Sequence, residues 1–433
     1  MTTIALVIFL VTYAFIITEK GNRAVLALLG AVLMIVADVL DVHKAFTHYI
    51  EWNTITLLIG MMILVGITNQ TGVFQYLAVR AAKLVKGNPV QILVILSLLT
   101  ALLSAFLDNV TTVLLVVPLT LSITQMLGVN PYPYLISQII ASNIGGTATL
   151  IGDPPNIMIG SAVKHLTFNQ FLINLAPIAF IILGVTVSLF YFLYRNQLKS
   201  DPEKVQKLMA LDEKEYIHDP VLLRKALTVL GLTIVGFMLH SILHLEASVI
   251  AIGGATILML IAVEEKYIEE TFQQIEWTTI FFFVGLFTMV GALQEVGVIK
   301  YLATLLLNAT NGDIADTAIY VLWGSGIASA IIDNIPFVAT MIPLIQDLAV
   351  GMGYAIDSPQ MDALWWSLAL GACLGGNGTL IGASANVVVA NMAARSGYPI
   401  TYWKFLKVGA PFTLLALGMA HLYIYLRYLL FLP

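Results

Sequence analysis

Leu107-Asp108-Asn109-Val110-Thr111-Thr112 and Ile332-Asp333-Asn334-Ile335 stand 225 residues apart, each interrupting a long apolar run. The register holds outward in both directions. Glu51-Trp52-Asn53-Thr54 through Gly60, Gly66, Gly72 and Tyr76 recurs as Glu276-Trp277-Thr278-Thr279 through Gly285, Gly291, Gly297 and Tyr301, and Pro118 lies over Pro343. Further on, Gly145-Gly146-Thr147-Ala148-Thr149-Leu150-Ile151-Gly152 lies over Gly375-Gly376-Asn377-Gly378-Thr379-Leu380-Ile381-Gly382, at an offset of 230. The slip falls in one connection, where 351–362 is longer than 128–133. Chance does not keep one register over so many Gly, Trp, Asp and Pro positions, so the chain is an internal duplication.

The duplicated unit belongs in a membrane. Of 433 residues, 59% are apolar and only 10% charged, with a mean hydropathy of +0.92. A soluble domain carries about 25% charged residues, and one with this little charge could not coat its surface. Disordered, collagen-like and coiled-coil classes fail on the same numbers. The small net charge of -5 argues against nucleic-acid partners. Cys373 is the single cysteine, so no internal disulfide forms. The first apolar run has no basic leader and no small-residue cleavage site, and reads as a first membrane helix rather than a signal peptide.

Runs long enough to cross a bilayer fall near 3–18, 23–40, 54–70, 90–107, 110–127, 134–163 and 171–194. They resume near 225–243, 247–263, 278–294, 315–332, 335–350, 363–393 and 406–430. The division is a first repeat at 1–194, a charged linker at 195–224 and a second repeat at 225–433. With the linker placed in the cytoplasm, sixteen Lys and Arg, Lys20 and Arg23 among them, fall inside and four outside (Lys44, Lys164, Lys300 and Arg427). The expectation is a multi-pass protein of the plasma (inner) membrane with both termini outside. Each half has five net crossings and a paired segment that returns to its own side, so the second half enters the bilayer upside down. The fold class is therefore all-α and polytopic: two inverted repeats, each with about five spans, a re-entrant hairpin and a Gly-interrupted helix. Helix breakers at matching positions of inverted repeats are the pattern of secondary transporters, whose sites lie at the repeat interface near the midplane. A duplication that only built a stable bundle would repeat packing residues instead.

Asp108 and Asp333 are the sharpest single signals. An ionised carboxylate at membrane depth costs about 2.5–3.5 kcal/mol even on lenient scales, so it faces a cavity, pairs, or binds a cation or proton. Each is equally placed to cap the helix that follows, and the two roles are compatible. The second motif is Ser142-Asn143-Ile144-Gly145-Gly146-Thr147-Ala148-Thr149-Leu150-Ile151-Gly152-Asp153-Pro154-Pro155-Asn156. Its glycines and paired prolines cannot sit in an uninterrupted helix, and freed backbone groups are tolerated at depth only inside protein or a wet cavity. In the second half Ala383-Ser384-Ala385 replaces Asp153-Pro154-Pro155, while Asn156 keeps its counterpart Asn386. Two of three intramembrane acids thus lie in the first half, and a coupling-ion site is expected there. No Lys or Arg stands near these segments in sequence. An anion would be held by helix N-termini, amides and hydroxyls; acids without a base suit a cation equally well, and the residues leave both open. His240 and His244 share a helix face as a metal pair could, but lie at a span end and read as a wet interfacial terminus. The amphipathic stretch 73–86 reads as an interfacial helix on the cytoplasmic surface.

Leu107-Asp108-Asn109-Val110-Thr111-Thr112, Asn143-Ile144-Gly145-Gly146 and Ile151-Gly152-Asp153-Pro154-Pro155-Asn156 resemble the ArsB/NhaD permease family of the ion transporter superfamily. That family includes arsenite permeases, NhaD-type Na+/H+ antiporters, citrate-transporter-like relatives and the melanosomal P protein. The resemblance covers residues 1–430, and the Gly-Asp-Pro-Pro-Asn string is most like the P-protein branch. It implies a scaffold domain and a transport domain of two hairpins and two broken helices. By similarity with divalent-anion/Na+ symporters, the tips Asp108 to Thr112 and Asp333 to Pro336 would be binding loops. Gly145–Thr149 and Gly375–Thr379 would complete the sites, in a homodimer that works by an elevator movement. The tips here read Asp-Asn-Val-Thr and Asp-Asn-Ile-Pro where those symporters carry Ser-Asn-Thr, so dicarboxylate transport is not implied.

The function expected is an ion-coupled (Na+ or H+) secondary transporter of a small inorganic or organic ion, working by alternating access, and not an enzyme. The first-half site comprises Asp108, Asn109, Thr111, Thr112, Asn143, Gly145, Gly146, Thr147, Thr149, Asp153 and Asn156, with Na+ near Asp108, Asn109 and Asp153. The second comprises Asp333, Asn334, Gly375, Gly376, Asn377, Gly378, Thr379, Ser384 and Asn386. No organic cofactor is expected. Two rivals exist. An intramembrane aspartyl protease could use Asp108 and Asp153, but lacks the Gly-x-Gly-Asp string and has no need of Asp333. An ion channel on the same fold would show unitary currents.

Overall fold

A computed structural model describes residues 1–18 and 21–430; Lys20, counted above on the basic side, lies outside them. Among the described residues the regular structure is helical. The first half contains α1 (Thr2–Ile17), α2 (Arg23–Val36), α3 (Trp52–Gln70), α4 (Val73–Leu84), α5 (Pro89–Ser104), α6 (Asn109–Leu127), α7 (Tyr132–Thr147), α8 (Pro154–Ala162) and α9 (Ala176–Tyr194). The second contains α10 (Pro220–Leu243), α11 (Ala247–Ala262), α12 (Trp277–Glu295), α13 (Val298–Ala309), α14 (Ile314–Ile331), α15 (Asn334–Met352), α16 (Asp362–Gly375), α17 (Ser384–Arg395) and α18 (Tyr402–Ile424). Helix for helix, the second set repeats the first. Local chemistry sets the ends: Asn88 caps α5 by accepting from Val90 and Gln91 N–H, with Pro89 at the first position. Gly128 and Gly353 end α6 and α15 at φ 65° and 79°, where a side chain would be strained.

The repeats interlock by exchange. α3 packs on α11 of the other half, and α12 packs on α2. Both contacts close at a glycine. A Cβ on Gly60 would lie 2.6 Å from the Ala251 carbonyl carbon, and one on Gly285 would lie 2.5 Å from that of Ala27. In lipid, where apolar side chains gain nothing by leaving the acyl phase, such backbone-close packing is what holds helices together.

The linker fixes which ends share a face. Ser200 Oγ donates to Leu127 O at 2.7 Å at the end of α6, and Gly87, just before α5, packs on Val205. His218 N–H donates to Thr71 O at 3.1 Å beyond the end of α3. Hence α5 starts and α6 ends on the linker face, and their tip at Asp108 turns back inside. The opposite hairpin, α14 and α15, ends where Gly351 meets Leu307 of α13, beyond the end of α12 that carries the Lys44–Glu295 pair. That is the far face, so the second hairpin is inverted relative to the first.

The stretch 73–86 holds α4, against the linker face. In α4, Val73, Phe74, Ala78, Val79 and Ala82 are buried, and the helix packs on α5, α6 and the linker. Lys83 Nζ donates to Leu211 O at 2.7 Å and pairs with Glu213 Oε2 at 2.5 Å. Hydrogen bonding from the Lys83 ammonium holds the Glu213 carboxyl below its ordinary range. This tie is therefore intact at neutral pH and lost only as acid protonates Glu213 below the usual glutamate midpoint. Proteolysis of the linker is expected to accelerate in Lys83→Ala at pH 7 but to match wild type in strong acid.

Candidate functional site

Both broken helices open for the same physical reasons. α7 ends at Thr147 and α8 begins at Pro154, while α16 ends at Gly375 and α17 begins at Ser384. A Cβ on Gly145 would lie 2.1 Å from Ala101 O, and one on Gly375 would lie 2.4 Å from Gly326 O, so each helix runs backbone to backbone against its hairpin. The carbonyls freed by unwinding are answered internally. Asn156 Nδ2 donates to Thr147 O and Thr149 O at 3.1 and 2.9 Å, and Asn386 Nδ2 to Gly376 O and Thr379 O at 2.8 and 2.9 Å. Thr149 donates to Ala105 O and Thr379 to Ala330 O, tying each loop to a hairpin arm. Thr147 Oγ1 donates to Asn143 O at 2.7 Å. Gly146 meets Gly152 O and Gly376 meets Gly382 O across the breaks, and Gly378 abuts Ala330. These residues hold the loops in shape. Asn156→Ala strands at least two buried carbonyls, at about 1–3 kcal/mol each, and a melting temperature equal to wild type in a thermal-shift assay would contradict this role.

A buried amide chain crosses the centre. Asn109 Nδ2 donates to Asn143 Oδ1 at 3.1 Å, and Asn143 Nδ2 donates to Asn377 Oδ1 and Asn386 Oδ1 at 2.9 and 3.0 Å. Cys373 stands at the counterpart of Asn143, and its thiol lies 3.5 Å from Asn156 Oδ1, as Asn143 lies beside Asn386. Into this centre projects Asp153, fully buried before α8. Its carboxylate accepts from Asn109 Nδ2 of one tip at 3.5 Å and from Asn334 Nδ2 of the other at 3.4 Å to each oxygen. Both hairpins thus converge on one carboxylate whose counterpart, Ala383, has none. Among the described residues Asp153 forms no ion pair.

The tip acids cap helices and also face the site. Asp108 accepts from Thr111 N–H at 2.9 Å and Thr111 Oγ1 at 2.5 Å. Asp333 accepts from Ile335 N–H at 3.1 Å and Ser384 Oγ at 2.7 Å. A cavity of about 20 Å³ lies among Arg23, Asp108, Asn109, Asp153, Glu276, Asn334 and Ser384, room for one water or a small ion. Thr112 Oγ1 is buried with no hydrogen-bond partner among the described residues.

One expectation is overturned. Arg23, distant in sequence and counted as a loop cation, reaches Asp333 Oδ2 at 3.4 Å and donates to Ser384 Oγ. A basic group therefore does stand at the site, brought there because α2 packs on α12 of the other half. Glu276 and Cys373 were also missed as site residues. Glu276 was visible only as part of the repeated Glu-Trp pair, and Cys373 gives no signal until aligned with Asn143. His240 Nε2 accepts from Phe168 N–H at 3.2 Å, and His244 ends α10 in left-handed conformation, so the two serve a helix end.

Two cavities flank the centre. One of about 890 Å³ opens on the linker face beside Arg23, Gln274, Glu276 and Asp333. The other, about 170 Å³, lies on the far face beside Tyr49, Glu51 and Gln294. Glu51 and Tyr49 occupy the repeat positions of Glu276 and Gln274, so the two are equivalent vestibules of unequal size.

The family model described as citrate transporter (CitMHS) matches residues 13–371. The chain belongs to the citrate transporter family. A protein of Mycobacterium tuberculosis named an uncharacterized transporter is 44% identical over 431 residues, covering 99% of both chains. The 46 kDa membrane protein of Mycobacterium leprae is 43% identical over 432 residues, again 99% of both. Human P protein is 34% identical over a match covering 97% of this chain and 59% of that protein, the branch to which the Gly-Asp-Pro-Pro-Asn string pointed. The solved YdaH transporter of Alcanivorax borkumensis shares the fold, with a TM-score of 0.62, 13% identity and coverage of 88% of this chain and 86% of that one. This member of the citrate transporter family is thus a polytopic membrane transporter, and the protease reading of Asp108 and Asp153 falls.

Proposed function

We propose that this protein is a secondary transporter that couples movement of a small ion to Na+ or H+ by alternating access. The observation that carries the reading is Asp153. A carboxylate fully buried at the meeting of both hairpin tips, held by amides and in no ion pair among the described residues, is stable when a cation or proton neutralises it. Amide and carboxylate oxygens are hard ligands suited to Na+. Unequal vestibules built from matching repeat positions support alternating access, since exchanging the repeat conformations would close one and open the other. Citrate names the family, yet Asp108, Asp153, Glu276 and Asp333 outnumber Arg23 at this site, which disfavours a trivalent anion as cargo. We place the linker in the cytoplasm of a plasma-membrane homodimer, with an elevator movement of the hairpins and broken helices.

A proteoliposome panel of Na+, Li+, H+, arsenite, chloride, phosphate and carboxylates, with and without imposed gradients, tests the reading. Saturable flux of one ion driven by a Na+ or H+ gradient is expected. Gradient-independent flux, or unitary currents in planar bilayers, would overturn it in favour of the channel.

A further inference from the structure

Arg23 begins α2 directly after its Asn22 cap and has no equivalent in the second half. There Ser248 holds the matching position and donates to Asn53 Oδ1 at 3.0 Å. Arg23 instead reaches the other repeat, to Asp333 Oδ2 and Ser384 Oγ. Phe282 of α12 backs the guanidinium, its ring centroid 5.2 Å from Cζ. The Ala27–Gly285 backbone contact fixes α2 against that same α12. The cation is thus anchored on packed spans, while its partners lie on a hairpin tip and a broken helix.

The two tips reach neutrality differently. Asp108 receives a hydroxyl from Thr111 within its own first helical turn and, among the described residues, forms no ion pair, although Arg23 lines the same small cavity. In the second tip Pro336 stands where Thr111 does and has no hydroxyl to give. Ser384, standing where the first half has Pro154, supplies the hydroxyl, and Arg23 supplies the charge. Two separate exchanges of residue type therefore convert one half-site from open to internally paired.

We propose that Arg23 is a tethered cation for the Asp333–Ser384 half-site. While the site faces the linker-side cavity, it takes the place that a mobile cation takes at the Asp108–Asp153 half-site. It thereby restricts coupling to one half-site per turnover. A guanidinium stays charged at any pH the protein meets, so it releases no proton in doing so. The pair borders the large cavity, with the Arg23 and Asp333 side chains 30% and 17% exposed, and so partly wet a pair is weak enough to part in each cycle. This inference rests on the cation-coupled reading above.

The test measures cation uptake by purified, detergent-solubilised protein, with tracer Na+ for sodium and an indicator dye for protons. Arg23→Gln is expected to take up one more cation per chain than wild type. Arg23→Lys and the double variant Arg23→Gln/Asp333→Asn should return the wild-type count. An Arg23→Gln count equal to wild type overturns the proposal. Should that variant fail to fold, Asp333→Asn alone decides: an unchanged count supports the tethered cation, and a count lower by one overturns it. If wild type takes up neither Na+ nor protons, the cation-coupled reading fails and this one with it. A normal wild-type count with no gain in Arg23→Gln removes only the role of Arg23.

Discussion

Asp153→Asn is expected to abolish coupled flux in a protein that melts no lower than wild type. The substitution keeps the size of the side chain, and its amide oxygen can still accept from Asn109 and Asn334, both in contact now. What it removes is the charge. A hydrogen bond or contact to a charged group contributes roughly 1.5–3 kcal/mol, so cation affinity should fall about ten- to a hundredfold or more. A structural carboxylate would behave in the opposite way. Deleting a paired structural charge lowers stability, whereas deleting a buried charge with no basic partner leaves stability equal or higher. Flux and thermal stability measured together separate the two. Wild-type flux would remove Asp153 from the mechanism, and a large fall in melting temperature would make its role structural.

The second large effect concerns packing. Gly145→Ala places a methyl about 2.1 Å from Ala101 O, and Gly375→Ala places one about 2.4 Å from Gly326 O. Both neighbours are backbone, which cannot swing aside as a side chain can. Overpacking of this kind costs about 1–3 kcal/mol and sometimes more, and here it also wedges each hairpin from its broken helix. Melting temperature and flux should fall together in both variants. Gly184→Ala is the matched control, since a Cβ there meets nothing within 4 Å and the helix gains up to about 1 kcal/mol of propensity. Equal melting temperatures across all three would refute the close-approach account.

Much of this architecture could be read from residue types because the repeated positions are the ones where chemistry leaves little choice. Gly145, Gly146 and Gly152 with Pro154 and Pro155 forced a helix break, and the break lies at residues 148–153. Asp108 and Asp333 are expected at tips, as caps and as site residues, and both stand at tips and cap the helices that follow. Less legible was the division of labour. Asn156, Thr149, Asn386 and Thr379 were grouped with the ion ligands, yet their donors are committed to backbone carbonyls of the loops. Polarity at depth does not say whether a group faces an ion or its own chain. Arg23 was missed for a different reason. Its place depends on α2 packing across the repeat boundary, and spacing along one chain carries no trace of such an exchange. The acid-rich reading therefore needed a cation that only tertiary structure could supply.

The exchanged helices also bear on how the protein is made. Gly60 finds its partner Ala251 only after about 190 further residues have been synthesised, which at roughly 5–20 residues per second takes on the order of 10–40 s. Through that interval α3 is in the bilayer with its glycine face unfilled, and α2 without its partner α12. The early half of the molecule thus waits for its partners, open to rival helices; ribosome pausing would prolong that state and early termination would release the chain in it.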